Sequence, residues 1–168
     1  MHAPKNGFFY VIDRTNGKFL SGTPFVSKVD WSSGLTPDGK PIRVPGHDPS
    51  VLGTTTCPST AGATNWPSPT YDPKLHIFYV VVAEGCGVNL ITSSTAPDAG
   101  TGYLESPTAP WEAHVRALDA LTGKIAWDYK EYRSNHYGPG LVSTAGGIVF
   151  APEQFGQVTV LDSKTGKP

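Results

Sequence analysis

The sequence predicts an all-β fold, and three observations predict it. Glycine (19) and proline (16) together make up about a fifth of the 168 residues, so the chain must turn often. The strongest apolar runs are short and rich in β-branched and aromatic residues, and no stretch carries the apolar spacing of an amphipathic helix. A short turn sequence also recurs three times, each time beside strand-like residues.

Taken in order, Gly7–Asp13 reads as a strand. It ends in Arg14-Thr15-Asn16-Gly17-Lys18, where Asn-Gly favours a hairpin turn, and Phe19-Leu20 starts the return. Residues 30–75 are polar, with turn signals at Pro37-Asp38-Gly39 and Pro45-Gly46 and few runs long enough for extended strands. His76–Ala83 is the next clear strand. From Glu84 to about Pro110 the chain reads as a long loop of Gly, Ser, Thr and Pro, a length uncommon unless the loop is functional or packed over something. His114–Asp119 alternates apolar and polar residues, Ala120–Gly123 turns, and Lys124–Tyr129 returns. Strand signals follow at Gly140–Thr144, Gly147–Ala151 and Gln157–Asp162.

The repeat organises these strands. Val11–Lys18, Ala117–Lys124 and Val160–Lys167 each carry a small or β-branched residue, an apolar residue, Asp, two variable residues, a polar residue, Gly and Lys. The Asp carboxylate can accept turn amides, and Gly supplies the positive φ. From Asp119 to Asp162 is 43 residues, the length of one four-stranded propeller blade. From Asp13 to Asp119 is 106 residues, about two blade lengths or one blade with insertions, and the long loop after Ala83 favours the second. The chain is therefore expected to be a partial β-propeller of two to three four-stranded antiparallel blades. Residues 1–30 would end one blade, 65–130 would form the next with a long insert over 84–112, and 137–168 would form most of a third.

A formal net charge of -1 gives no electrostatic footprint for nucleic acid or an anionic membrane. No apolar run approaches the roughly 18 residues that span a bilayer, and Met1-His2-Ala3-Pro4-Lys5 does not open a signal peptide. Cys57 and Cys86 lack the spacing of zinc, thioredoxin-like or haem-attachment sites; their spacing alone leaves open one disulfide or two buried thiols.

Ala117, Asp119, Thr122, Gly123 and Trp127 fall in the spacing Ala-x-Asp-x-x-Thr-Gly-x-x-x-Trp. This resembles the tryptophan-docking motif of the pyrroloquinoline-quinone-dependent (quinoprotein) alcohol and methanol dehydrogenases, which are eight-bladed propellers. Ala3–Arg14, Cys57-Pro58-Ser59 with Asn65-Trp66 and Tyr71–Lys74, and Ser143–Phe150 are similar to further blocks of that family. The resemblance covers nearly the whole chain and is weakest over 84–112.

The resemblance implies oxidation of a primary alcohol by hydride transfer to the quinone. It implies a periplasmic parent enzyme, a cytochrome c-type electron acceptor, and contact with the remaining propeller blades. Lys5 takes the place of the family's cation beside the ortho-quinone oxygens, where positive charge stabilises the reduced carbonyl. Asn65 takes the place of an amide that contacts the cofactor, with Trp66 beside it. Cys57 and Cys86 would be joined, and Trp127 would be buried against a neighbouring blade. His136-Tyr137 stand where many relatives have a tryptophan. The family's catalytic aspartate and the ligands of its Ca²⁺ or lanthanide ion are expected before Lys5. No residue of this chain is then expected as catalytic base or metal ligand, Asp13 and Asp119 being used in turns, and the chain alone should be inactive. A non-catalytic periplasmic propeller scaffold and a sugar-binding β domain are the rival readings. Lys5, Asn65 and the Cys57-Pro58 block speak against the scaffold, and only aromatic content speaks for the sugar binder.

Overall fold

The computed structural model describes residues 1–91, 101–105, 111–131, 139–153 and 155–168, and every regular element in them is a β-strand. The first are β1 (Phe8–Ile12), β2 (Phe19–Pro24), β3 (Ser32–Leu35), β4 (Pro41–Arg43) and β5 (Thr54–Thr56). Then come β6 (Thr70–Asp72), β7 (Ile77–Glu84), β8 (Gly87–Ile91) and β9 (Thr101–Glu105). The last are β10 (Glu112–Asp119), β11 (Ile125–Lys130), β12 (Val142–Ser143), β13 (Ile148–Pro152) and β14 (Val158–Asp162).

Three antiparallel sheets follow one another along the chain: the β1-β2 hairpin, a four-stranded sheet in the order β11-β10-β7-β6, and the sheet β12-β13-β14. The four-stranded sheet lies between the other two. On strand β7, Phe78, Val80 and Val82 pack with Phe9, Phe25, Val26 and Leu118 on one face. Ile77, Tyr79 and Val81 pack with Val115, Trp127, Val149 and Leu161 on the other. Successive side chains of a strand point to opposite faces, so a strand covered on both sides must be apolar throughout. That requirement explains the unbroken run Ile77–Ala83. The β12-β13-β14 sheet has one covered face; on the other, the paired residues Val142, Phe150 and Val160 form an exposed apolar row.

The three repeated turns share one geometry. In each, the Gly N–H donates to the Asp carbonyl and the Asp N–H to the Lys carbonyl, at 2.7–2.9 Å. Each Asp Oδ1 accepts the amide two residues on, from Thr15, Leu121 and Lys164. The Thr15 hydroxyl, the Thr122 N–H and the Thr165 hydroxyl, with those turn amides beside them, hold the Asp13, Asp119 and Asp162 carboxyls below the usual carboxylate range. The turns also join neighbouring sheets. Gly166 has a φ of 69°, and a Cβ there would stand 2.6 Å from the Trp127 ring. Trp127 is 8% exposed; its Nε1–H donates to the Ser163 carbonyl at 3.0 Å, and the Tyr79 hydroxyl donates to the same oxygen at 2.9 Å. The indole is thus seated on the Asp162–Lys167 turn of the next sheet.

The stretch read as a long loop after Glu84 contains strands. β8 pairs with β9, and β5 joins them in the order β5-β8-β9. Together with the β3-β4 hairpin, this sheet forms an accessory layer absent from the sequence-based expectation. Its strands are three to five residues long and rich in Thr and Gly. Such strands carry little pattern of their own and become extended by pairing with distant segments.

Candidate functional site

A disulfide joins Cys57 and Cys86 with a Cα separation of 4.4 Å. It ties the segment after β5 to the turn between β7 and β8. The Cys57 N–H donates to Asp30 Oδ1 at 2.8 Å, and the Asp30 N–H donates to the Cys57 carbonyl at 3.0 Å. Ser59 N–H reaches the Gly85 carbonyl at 3.2 Å. Residues 57–59 are therefore fixed from both sides, and the chain that follows runs beside the N-terminal segment. There the Ala63 N–H donates to the Lys5 carbonyl at 3.0 Å, and a Cβ at Gly62 would stand 2.6 Å from the Lys5 side chain. Only glycine at 62 allows so close an approach.

This pairing sets Lys5 and Asn65 on adjoining segments, facing two cavities. The exposed Lys5 lines a cleft of about 320 Å³ with Trp31, Val44, His47, Pro58 and Asn89. The half-buried Asn65 lines a smaller cavity of about 140 Å³ with His2, Ala3, Thr64, Phe78 and Val80. Trp66 is 79% exposed and is among the lining residues of neither cavity. His136 and Tyr137 lie outside the described residues. Among the described residues no group of three or more His, Cys, Asp or Glu side chains is gathered for a metal ion.

A charge network was not foreseen from the sequence. Arg116 on β10 is nearly buried and bridges Glu84 at 2.6 Å and Asp128 at 2.8 Å. Its Nη1 also donates to the Phe25 carbonyl at 2.6 Å. Ser27 closes the network, donating its N–H to Glu84 Oε1 at 2.9 Å and its hydroxyl to Oε2 at 2.7 Å. His114 Nδ1 lies 2.9 Å from Asp128 Oδ2. Burial opposes charge on both partners, but their contacts win. The Arg116 guanidinium is raised above its ordinary value, and the hydrogen bonds of His114 and Arg116 hold the Asp128 carboxyl at about 2. The network binds the first hairpin to the four-stranded sheet and leaves no atom poised toward either cavity, so its role is positional. The alternation of His114–Asp119 therefore does not mark a solvent-facing strand; its polar side faces the first hairpin, with the buried Arg116 paired to Glu84 and Asp128.

No family model matches the chain. Over 98% of its length it is 34% identical to the quinoprotein alcohol dehydrogenase PedH of Pseudomonas putida, of which it covers 29%. Over 99% of its length it is 35% identical to a 1-butanol dehydrogenase (cytochrome c) of Thauera butanivorans, covering 26% of that protein. The crystal structure of the quinohemoprotein alcohol dehydrogenase from Comamonas testosteroni matches 99% of the chain with a TM-score of 0.85 at 28% identity, and 27% of that structure is covered. The proteins that the chain matches along almost its whole length are quinoprotein alcohol dehydrogenases, and its stacked sheets match an arc of their β-propeller. It spans between a quarter and three-tenths of the length of these relatives.

A planar quinone bearing carboxylates needs cations, amide groups and flat apolar surface around it. Lys5 carries a cation and Asn65 an amide, on segments joined by a hydrogen bond but lining separate cavities.

Proposed function

We propose that this chain forms one wall of the quinone site in a pyrroloquinoline-quinone-dependent alcohol dehydrogenase that oxidises a primary alcohol. The observation that carries the reading is the junction of the 3–7 and 61–65 segments, which brings Lys5 and Asn65 onto neighbouring backbone in a chain homologous to those enzymes. Bound quinone would supply the hydride acceptor. The Lys5 ammonium would lie against the quinone oxygens and stabilise the negative charge that develops there. The Asn65 amide would hydrogen-bond the cofactor's edge and fix its angle, with Trp66 covering it from the neighbouring position. The Trp127 indole, seated on the following turn, would act as the family's docking tryptophan and keep successive blades in register. On this reading the β1-β2 hairpin would end one blade, β6-β7-β10-β11 would make up a complete blade, and β12-β13-β14 would be most of a third.

The remaining blades of the parent would cover the Val142-Phe150-Val160 row and supply the base and the Ca²⁺ or lanthanide ligands. A periplasmic parent would pass its electrons to a cytochrome. The chain alone, given quinone, Ca²⁺ and ethanol, should reduce no dye above buffer, because the base and the metal ligands are expected on the remaining blades. Titration with the quinone tests the site directly. Saturable change in the cofactor's absorption is expected, weakened about tenfold in Lys5→Met, the loss that fits a single charge-assisted hydrogen bond. Equal titrations for Lys5→Met and the unaltered chain would refute the assignment, and steady turnover by the chain alone would refute the inactivity.

A further inference from the structure

We infer that the cleft beside Lys5 is a binding site for the ring of a small aromatic alcohol, and that Trp31 is its specificity-determining residue. The inference rests on the proposed function for the presence of an alcohol at Lys5, but the ring site itself is argued from the cleft. Its volume of about 320 Å³ is at the lower end of ligand cavities, enough for a benzyl-sized molecule and little more.

Part of its wall is flat. The Trp31 indole, the His47 imidazole and the Arg43 guanidinium are planar groups, and Pro49 and Pro58 add two saturated rings. Faces of this kind favour an aromatic ring over a flexible alkyl chain, because ring edges and cations meet π-faces favourably.

The walls are also held in place before any ligand arrives. Trp31 stands edge-on to the buried Phe8 ring, with centroids 6.3 Å apart. Its carbonyl accepts the Val44 N–H at 2.9 Å, which joins the two sides of the β3-β4 hairpin. Pro58 follows a half-cystine whose N–H is held by Asp30, and the His47 imidazole lies 3.4 Å from the same carboxylate. Arg43 is paired with Asp48 at the rim. A cavity fixed by a disulfide and a hairpin needs little ordering when it binds, so a small ligand can be retained on shape alone. Lys5 lines the same cleft and gives the hydroxyl end a polar neighbour.

The probe is benzyl alcohol, added to the chain without quinone, with cyclohexylmethanol as the non-aromatic match in size. The indole N–H resonance of Trp31 and the backbone amides of Val44, Thr56 and Ser59 are followed by NMR. Benzyl alcohol should shift these signals saturably. Cyclohexylmethanol should bind about fivefold more weakly, the factor that about 1 kcal/mol of aromatic contact makes. Val44→Phe, which fills the cleft and leaves Trp31 on Phe8, should abolish the shifts while amide dispersion stays native. Shifts spread evenly over the surface, equal affinity for the two alcohols, or unchanged binding in Val44→Phe would overturn the inference. Since no quinone is present, loss of the ring site and loss of the quinone assignment are separate results: the first is read from these shifts, the second from the cofactor's absorption.

Discussion

Replacing Trp127 by alanine tests the contact that joins the four-stranded sheet to the sheet after it. The indole is 8% exposed, stacks near Tyr79 at a centroid distance of 5.5 Å, and donates to the Ser163 carbonyl at 3.0 Å. Truncating a buried large aromatic costs about 3–5 kcal/mol when the cavity cannot collapse. Here Tyr79 keeps one donor on the Ser163 carbonyl, so that oxygen is not orphaned, and about 3 kcal/mol is the expected loss. Gly166 supplies the second arm. Alanine there would set a methyl 2.6 Å from the Trp127 ring at a φ of 69°, so Gly166→Ala should destabilise through both clash and backbone. In the double variant the clash disappears and only the backbone penalty remains. The two losses should therefore fall short of additivity by about 1–2 kcal/mol. Urea unfolding followed by far-ultraviolet circular dichroism measures all four proteins, and avoids the signal change caused by removing a tryptophan. A Trp127→Ala loss below about 1 kcal/mol, or strict additivity, would show that the indole does not rest on the turn of the next sheet.

Other expectations follow from the same contacts. Removing the disulfide as Cys57→Ala with Cys86→Ala, across a separation of 29 residues, should cost about 3–4 kcal/mol by loop closure; an unchanged urea midpoint would contradict it. The folded Asp128 carboxyl sits at about 2, below its ordinary 3.8, so its contribution is present above about pH 4 and lost as pH falls toward 2. Asp128→Asn should flatten that part of the acid unfolding curve, and a curve of unchanged slope would separate the network from acid stability. Gly123→Ala would drive a methyl into Thr23 Oγ1 at a φ of 71°, and should destabilise less in a Thr23→Ala background; equal losses in both backgrounds would place the penalty in the turn alone.

The parts of this molecule legible in its sequence are those with local causes. The Asp-x-x-x-Gly-Lys turns declare themselves because the bonds that make them lie within six residues. Strand β7 declares itself because a strand covered on both faces has no polar phase to hide it. The disulfide was open from spacing and became specific only through family resemblance. The accessory layer was illegible because Thr54–Thr56 is extended only by pairing with Gly87–Asn89, more than thirty residues away. The Arg116 network was hidden for a related reason. Glu84, Arg116 and Asp128 sit on three strands, and nothing in His114-Val115-Arg116 says that the charged side will be buried rather than wet. A charged residue can occupy a covered face only if its partners arrive from elsewhere, so their identities are a property of the assembled sheets.

The same logic separates Lys5 from the cleft it lines. As an exposed lysine near the start of the sequence, it has no local signal to distinguish it from Lys124 or Lys164, and resemblance alone singled it out. The fold adds a constraint that resemblance did not contain. Gly62 must stay small for the 61–65 segment to lie on Lys5, and the disulfide must hold residues 57–59 for that segment to start in the right place. The lysine's position is thus set by groups that never meet a ligand. Gly62→Ala, with φ at 96° and a methyl 2.6 Å from Lys5 Cβ, should displace the lysine without touching its charge. If Lys5 acts by position, this variant should weaken quinone binding nearly as much as Lys5→Met does, while circular dichroism stays native. If quinone binding survives Gly62→Ala and fails in Lys5→Met, charge alone matters and the close junction of the two segments is structural.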